Sequence, residues 1–328
     1  MLDTVTLYQS GVNNSDFELN QKHFKSNRDE NNEIQFLYNN FYNKEGKQSI
    51  YVLDDLKNRF AKIQFSVPKL LYGNSLENVR IEDTEKLENI LQNRLKGIYE
   101  GDFANMTISR IDITQNMEME NEVPIYVHAL NEAYSKQGRY RVEKFSNESL
   151  VIKNNSRRFT MYDKVKEAIA NNDITRQEAK AYGNVLRFEV QHAKAKHVKT
   201  SFGNKQPYTL YDVLTEGFFA NAKQFQVNSF DKLFSNAGNY EIFLNDLAMI
   251  NIVKDYSNKN LLKNFLIKKL TDDYKHEHDF QQYEDLLKVA GYTRQGTRKA
   301  IKEIQRIVLL SKTKQSQILE EIRMKLVG

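Results

Sequence analysis

Two hydrophobic periodicities divide residues 1–220 into short segments. In some segments every second residue is apolar, which is typical of β-strands. In others apolar residues recur every three or four positions, which is typical of α-helices. Strands are predicted at Leu2–Tyr8, Ile34–Tyr42, Ser49–Leu53, Phe60–Val67, residues 106–114, Ser149–Lys153, Arg157–Tyr162 and residues 184–191.

The helical periodicity predicts helices at residues 83–98, Pro124–Ser135 and 174–183, and a basic helix that ends near Gly203. Asp83 or Thr84 is a suitable N-cap for the first of them. The polar stretch 13–33 predicts a loop, and no internal repeat is visible. From Tyr208 onward the pattern is nearly all helical, so we expect a mixed α+β region of residues 1–220 and a helical region of residues 221–328.

Three of the predicted strands have one apolar face and one charged face. The polar faces carry Arg110, Asp112 and Thr114 on the first strand, Arg187, Glu189 and Gln191 on the second, and Arg158, Thr160, Tyr162 and Lys164 on the third. If these strands are neighbours, their charged groups and the Tyr162 hydroxyl meet on one surface of an antiparallel sheet. The alternative is an ordinary solvated sheet face, which is common in antiparallel sheets.

Composition narrows the class of protein. The chain has 328 residues, 40% of them hydrophobic, which is enough for a sizeable core, and its net charge is only +5. It has no cysteine, which excludes disulfides and thiolate metal sites. No apolar run approaches the ~18 residues of a membrane span, and the N-terminal sequence has no signal-peptide pattern. We therefore expect a soluble intracellular protein that does not interact with membranes.

Two tracts concentrate positive charge. Residues 192–205 contain four lysines and no acid, and residues 288–314 contain eight Lys or Arg and a single acid. The second tract predicts a turn followed by a basic amphipathic helix, which fits either a helix-turn-helix-like DNA reader or a packing helix with a cationic exterior. Basic surfaces of this kind bind phosphates. The DNA-binding residues predicted in the two tracts and on the third strand are Arg158, Lys194, Lys196, Lys199, Arg294, Arg298 and Lys299.

Three motifs occur together in a recognisable order: SRIDIT (109–114), RRFTMYDK (157–164) and VLRFEVQHAKAKHVKTSFG (185–203). They resemble the replication proteins of filamentous phages, the gene II/X family of rolling-circle initiators, and the related initiators of plasmids. The segments FSVPKLLYGNSLENV (65–79) and YTLYDVL (208–214) are also similar to that family. The resemblance covers roughly residues 60–220.

This resemblance implies a fold and an activity. The implied fold is α+β, a central antiparallel sheet with helices packed on one face as in the HUH nucleases and the other face open, followed by a helical C-terminal region. Residues 1–220 would form the catalytic domain, and residues 221–328 a helical domain for DNA binding or interaction. The implied activity is site-specific, metal-dependent DNA nicking and rejoining through a covalent 5′-phosphotyrosine intermediate, which starts rolling-circle replication.

The resemblance assigns the nucleophile to Tyr162. A phenol has a pKa near ~10 and is a poor nucleophile at neutral pH unless its phenolate is stabilised. Lys164 and Arg158 share its strand face and are expected to supply that stabilisation. Arg110 and Arg187 fit either of two roles, a clamp on phosphate oxygens or an ion pair with a neighbouring acid. A structural tyrosine is the alternative interpretation of Tyr162, since the chain has 18 tyrosines.

The same resemblance makes Asp112 and Glu189 metal ligands. Carboxylates suit Mg²⁺ or Mn²⁺, which need only one or two of them besides phosphate oxygens. Many rolling-circle nickases carry a His-hydrophobic-His pair as ligands, and this chain has none. His192 directly follows Gln191, so it is a candidate third ligand only if the strand ends or bulges there.

The implied partners are single-stranded or supercoiled origin DNA and the replicative helicase and polymerase of a bacterial host, in whose cytoplasm the protein would act. A relaxase or transposase with the same chemistry is one alternative. A non-catalytic DNA-binding regulator on the same fold is another. A covalent protein–DNA product separates the catalytic interpretations from the regulator.

Overall fold

The computed structural model describes residues 1–11, 24–42, 49–99, 101–134, 139–146, 148–203, 206–234, 293–296, 298–299 and 315–328. The chain divides into two compact units. The first comprises Met1–Val127, Lys136–Asp231 and Lys325–Gly328, and the second comprises His128–Ser135 and Lys232–Met324. Most of the predicted 221–328 domain lies outside the described residues, so that boundary stays a prediction.

The first unit is built on one antiparallel sheet of ten strands. In chain order the strands are β1 Leu2–Ser10, β2 Lys25–Arg28, β3 Ile34–Tyr42, β4 Ser49–Asp55, β5 Phe60–Ser66, β6 Thr107–Met119, β7 Arg141–Ser146, β8 Ser149–Lys153, β9 Arg157–Asp163 and β10 Asn184–His192. Their spatial order is β2-β3-β4-β5-β1-β6-β10-β9-β8-β7. The three strands predicted to share a charged face, β6, β10 and β9, are therefore neighbours.

The strand order gives the sheet a pseudo-twofold arrangement about the central β1–β6 pair. From the centre outward, one half runs β1, β5, β4, β3, β2 and the other runs β6, β10, β9, β8, β7. Each half begins with its central strand, and its next four strands return from the edge to the centre. The sequence shows no internal repeat, so the duplication is visible only in the topology.

Helices of the first unit cover the apolar face of the sheet. The described helices of the chain are α1 Val67–Tyr72, α2 Thr84–Leu95, α3 Val123–Ala133, α4 Lys164–Ala170, α5 Ala195–Phe202, α6 Leu210–Val213, α7 Glu216–Leu233 and α8 Gln315–Val327. One core cluster joins Val5 and Ile111 of the central strands to Leu91 of α2, Val198 of α5 and Phe218 of α7. Among the described residues, no helix has the length and apolar character needed to cross a bilayer.

The predicted α+β class, with a central antiparallel sheet and helices packed on it, is confirmed. The opposite face is not open along its whole length, because a smaller apolar cluster of Leu76, Val165, Ile174 and Val185 covers part of it near α4. This covering leaves a cleft rather than a flat surface beside Tyr162.

Several local predictions need correction. The predicted loop 13–33 contains strand β2, and its residues 13–23 lie outside the described part of the chain. Strand β7 and helix α1 were not predicted. The helix predicted at 174–183 is only a 3₁₀ turn at Glu178–Ala181.

Candidate active site

A cleft of about 450 Å³ lies on the polar face of the sheet. It brings together six residues that the sequence analysis singled out: Arg110, Asp112, Tyr162, Lys164, Arg187 and Glu189. Asp3, Tyr51, Gln64 and Lys69 also line it. With Asn40 of β3 also in its lining, the cleft extends from β9 across the centre of the sheet to β3.

Strand register explains why these side chains converge. Tyr162 of β9 lies directly opposite Arg187 of β10, and Glu189 of β10 lies opposite Thr114 of β6. Asp112 is opposite Gln191, one row further along the same face. Residues directly opposite one another in an antiparallel sheet project from the same side. The alternation seen in the sequence thus produces one shared surface.

Arg187 is the centre of a buried polar network. Its side chain is 1% exposed and donates to Asp3 Oδ2 at 2.7 Å, to Asn116 Oδ1 at 2.7 Å and to the Ser75 carbonyl. Its Nη1 also lies 3.5 Å from the Tyr162 hydroxyl. With these donors engaged, Arg187 is held as a structural partner of an acid, the second of its two predicted roles. The acid is Asp3 rather than Glu189.

Arg110 also pairs with a carboxylate. Its Nε donates to Asp112 Oδ1 at 3.0 Å and its Nη2 to Asp112 Oδ2 at 2.5 Å, a two-point contact within one strand. The Asp112 side chain is only 3% exposed, whereas that of Arg110 is 34% exposed. The guanidinium of Arg110 therefore neutralises Asp112 and still faces the cleft, where it can meet a phosphate.

Among the acids of the cleft, Glu189 is the one whose negative charge is least balanced by neighbouring cations. It is absent from the ion pairs found among the described residues. Burial, together with repulsion from Asp112 and Asp3, raises the pKa of Glu189 to about 7. Asp112 and Asp3 each pair with an arginine, whereas Glu189 accepts its hydrogen bond from a phenol.

The Tyr162 hydroxyl donates a hydrogen bond to Glu189 Oε2 at 3.3 Å. Burial raises the pKa of this phenol well above its ordinary value, and Glu189 and Glu167 raise it further while Arg187 opposes them. At neutral pH the phenol is therefore protonated, and its nearest acceptor is a carboxylate.

The two cations expected beside Tyr162 are placed differently. Lys164 is the first residue of α4, lies 6.0 Å from the centre of the Tyr162 ring, and is ion-paired with Glu167. Arg158 has a side chain that is 48% exposed and lies 3.9 Å from Glu143, and it does not line the cleft. Arg158 is thus placed outside the cleft lining, and the guanidinium that approaches the hydroxyl is that of Arg187.

His192 is not brought to the cleft. Strand β10 continues through it without a bulge, so it faces the apolar side, where its ring lies 5.5 Å from Phe202 and 5.3 Å from Phe225. Burial lowers the pKa of His192 to about 3, and neither ring nitrogen has a hydrogen-bond partner among the described residues. This placement removes His192 as a ligand beside Glu189. Within the described residues, no group of three or more His, Asp or Glu is arranged to hold a metal ion.

The basic residues of the first tract lie apart from Tyr162. Lys194 and Lys196 are exposed and Lys199 is partly exposed, at the start of α5 or within it. These lysines follow His192, the last residue of β10. Arg187, which lies opposite Tyr162, is five residues before His192, a distance of about 17 Å along the strand. Helix α5 packs on the apolar face through Val198. The first basic tract therefore does not adjoin Tyr162.

In the second basic tract only a few residues are described. Arg294, Arg298 and Lys299, in the second unit, are exposed. The helix predicted to follow the turn lies outside the described residues, so the helix-turn-helix interpretation stays a prediction.

Asp3 is the functional candidate that sequence reasoning missed. It lies in β1, lines the cleft, and accepts hydrogen bonds from Arg187 and from Ser66 Oγ at 3.0 Å. One signal was present: LDTVTL places an acid among β-branched and apolar residues of a strand, as RIDIT does at Asp112. What the sequence does not show is that β1 and β6 are adjacent.

The family comparison agrees with the motifs. A family model for the N-terminal region of the phage replication-associated protein of the gene II type matches residues 2–208, which is more than half of the chain and includes every strand of the sheet. No curated protein matches the chain. The match begins at β1, so it takes in Asp3 as well as the three motifs that carry the resemblance.

Proposed function

The chain belongs to this replication-associated protein family, a family of filamentous-phage gene II-type replication initiators, and on that premise we propose that it nicks and rejoins one DNA strand through Tyr162. The observation that supports the proposal is the Tyr162–Glu189 hydrogen bond inside a cleft that also holds Arg110, Asp112 and Arg187. A phenol, a carboxylate acceptor and cations in one cleft are the groups that phosphoryl transfer to tyrosine requires.

Glu189 is suited to accept the proton that Tyr162 must lose. Its carboxylate is already the acceptor of the phenol's hydrogen bond, and its pKa of about 7 leaves a substantial ionised fraction at neutral pH. The phenol oxygen then attacks phosphorus and forms the phosphotyrosine ester as the bond from phosphorus to the 3′ oxygen breaks. A proton reaches that departing oxygen, so the products are a 3′ hydroxyl and an enzyme-linked 5′ phosphate.

Rejoining is the reverse of the same transfer. A 3′ hydroxyl attacks the phosphotyrosine, the ester bond to Tyr162 breaks, and the phenol recovers its proton. At each stage one phosphate ester bond breaks and one forms, so no ATP is needed. The 3′ hydroxyl released by nicking is a primer for a host polymerase, and the unwinding ahead of it is the task of a host helicase.

The acidic residues of the cleft fit a hard divalent cation. Asp112 gives both carboxylate oxygens to Arg110, whereas Glu189 accepts only from Tyr162 among the described hydrogen bonds. Mg²⁺ typically takes one or two carboxylates and completes its shell with water and phosphate oxygens. Glu189 would therefore be the main ligand of Mg²⁺ or Mn²⁺, and Asp112 would join it by releasing Arg110. Such an ion, when bound, would offset negative charge on the scissile phosphate.

The test of the proposed function is a search for a covalent product. The protein would be incubated with Mn²⁺ and DNA of its own replicon, both single-stranded and supercoiled, and the products separated on a denaturing gel. We expect a protein–DNA band whose DNA end, when sequenced, gives one cleavage site. Tight DNA binding without a band would instead favour a non-catalytic regulator.

Removing either acid should weaken metal binding. We expect Glu189→Gln or Asp112→Asn to raise the Mn²⁺ concentration for half-saturation about tenfold or more, because each removes a negative charge from the donor set. Mn²⁺ binding is measured directly by electron paramagnetic resonance, without reference to cleavage. The control is Glu167→Gln, which removes an acid of the same cleft that is paired with Lys164. An equal shift in all three variants would show a general charge effect rather than ligation.

The lysines of α5 should contribute to DNA affinity through phosphates. We expect Lys196→Ala combined with Lys199→Ala to weaken DNA binding for all sequences and to reduce the slope of log affinity against log salt by about 1 to 2 units. The control is Arg176→Ala combined with Lys180→Ala, which removes two exposed cations from another part of the surface. An unchanged salt slope in the α5 variant would place the DNA elsewhere.

A further inference from the structure

The two halves of the sheet differ at equivalent positions. Exchanging the two central strands maps the Val5–Ile111 pair onto the Leu2–Ile113 pair, which aligns Thr6 of β1 with Thr114 of β6. Thr6 lies opposite Gln64, and Thr114 lies opposite Glu189. Continuing outward gives four equivalences: Thr4 with Asp112, Gln64 with Glu189, Lys62 with Arg187, and Leu53 with Tyr162. The N-terminal half thus has neither the acids nor the tyrosine of the other half at these positions, and it is not a second catalytic centre.

In their place, the N-terminal half presents aromatic rings on the polar face. Three cross-strand rows define that face: Asn40, Tyr51, Gln64 and Thr6; then Tyr38, Leu53, Lys62 and Tyr8; then Phe36, Asp55, Phe60 and Ser10. The first row continues to Arg110 of β6, so this face is continuous with the cleft. Its aromatic members, which we call the aromatic platform, are Tyr8, Phe36, Tyr38, Tyr51 and Phe60.

The rings of the aromatic platform are partly exposed, and several touch one another. Ring centres are 5.3 Å apart for Tyr8 and Phe60 and 5.7 Å apart for Phe36 and Tyr38. Lys62 Nζ lies 5.9 Å from the centre of the Tyr51 ring. Within the three rows the acid is Asp55, which accepts hydrogen bonds from Asn58 at the β4–β5 turn. The platform therefore combines π surfaces with a single lysine and a single acid.

We propose that the aromatic platform binds single-stranded DNA by stacking its bases on Tyr51 and the neighbouring rings, and that it leads the strand into the cleft at Tyr162. The inference rests on the proposed function for its direction toward Tyr162, because Tyr51 and Tyr162 line the same cleft. Stacking on aromatic side chains, with cations along the backbone, is how sheet surfaces bind single strands without sequence preference.

Unpaired bases fit this surface better than a duplex does. In a duplex the faces of the bases are covered by their neighbours in the stack, and only groove edges and phosphates are accessible. A protein surface with partly exposed rings and few cations would bind the phosphates of a duplex weakly. The bases of a single strand, by contrast, can stack on the rings. Binding of single strands in preference to duplex is the expected consequence.

The first test replaces Tyr51 and measures binding without metal, so that no cleavage occurs. Tyr51→Leu should weaken binding of a 16-nucleotide single strand by about 5- to 150-fold, the range for one stacked base. Tyr51→Phe keeps the ring and should bind within about twofold of the natural protein. Duplex affinity should be unchanged in both variants. Equal single-strand affinity in all three proteins would overturn the platform.

The second test uses the absence of tryptophan from the chain. Tyr51→Trp introduces the sole indole, and its fluorescence should be quenched when a single strand stacks on it. The control is Tyr211→Trp, at a 50% exposed position on α6, a helix of the core cluster on the apolar face. An unquenched indole at position 51 despite DNA binding would place the strand elsewhere.

These readouts separate the platform from the proposed function. Quenching in a protein that forms no covalent product would support the platform and refute nicking. If Tyr51→Leu forms the covalent product and binds a single strand as tightly as the natural protein does, nicking is supported and the platform is refuted. Both measurements use the full chain, and Tyr51 is a partly exposed strand residue, so neither variant removes a fully buried side chain.

Discussion

Tyr162→Phe should abolish the covalent protein–DNA product and reduce cleavage by roughly a thousandfold or more, because it removes the oxygen that forms the phosphotyrosine ester. The change deletes one hydroxyl whose hydrogen bond to Glu189 is 3.3 Å long. Its structural cost should therefore be small, about 1 kcal/mol or less. DNA affinity and the melting temperature should stay close to those of the natural protein. The measurement is a denaturing gel with labelled single-stranded DNA and Mn²⁺.

The matched control is Tyr51→Phe, because Tyr51 is another tyrosine that lines the same cleft. We expect this variant to form the covalent product at the natural rate. If the product disappears in Tyr51→Phe and persists in Tyr162→Phe, the nucleophile is Tyr51 and the alignment with the family motif is wrong. If both variants retain it, attack comes from another group, and mapping the linked peptide would identify it.

The shared charged face was the part of the site that the sequence could predict. Arg187 and Glu189 alternate with Leu186, Phe188 and Val190, and this period of two determines which side chains project together. The structure confirms the antiparallel sheet and the common surface for Tyr162, Glu189 and Asp112. Alternation is a local property, so a single sequence is enough to detect it.

The contacts of Asp3 could not be predicted from the sequence because they join residues that are far apart in the chain. Its partner Arg187 lies 184 residues away, and their meeting depends on β1 pairing with β6 and β6 pairing with β10. Hydrophobic pattern predicts strands but not which strands are neighbours. The pseudo-twofold arrangement was missed for the same reason, since it is a property of strand order.

The edge strands were missed for a different physical reason. Strand β2 (KSNR) is exposed throughout, and β7 (RVEKFS) is exposed except at its last residue, so neither has a buried face to impose alternation. They are strands because they pair with β3 and β8. His192 shows the converse: alternation alone placed it correctly on the apolar face, and an assumed bulge would have been needed to bring it to the cleft.

Arg187→Met should destabilise the fold by about 3–5 kcal/mol, because it leaves a buried carboxylate without its partner. The guanidinium is 1% exposed and is the ion-pair partner of Asp3, whose side chain is 12% exposed. Methionine fills similar space but leaves Asp3 charged, and Asn116 Oδ1 and the Ser75 carbonyl lose a donor. Urea unfolding followed by circular dichroism measures the change. The control, Arg158→Met, removes an exposed arginine of the adjacent strand and should change stability by about 0.5 kcal/mol or less.

A double variant identifies the source of that loss. If the penalty comes mainly from the charge left on Asp3, then Arg187→Met combined with Asp3→Asn should be more stable than Arg187→Met alone, although each single change is destabilising. If the stability lost by the double variant equals the sum of the losses of the two single variants, the two residues act independently. The network then does not depend on their ion pair. The first outcome would make Asp3 and Arg187 one unit that holds the floor of the cleft beneath Tyr162. It would also explain why the first strand of the chain contributes to a site whose proposed nucleophile lies on the ninth.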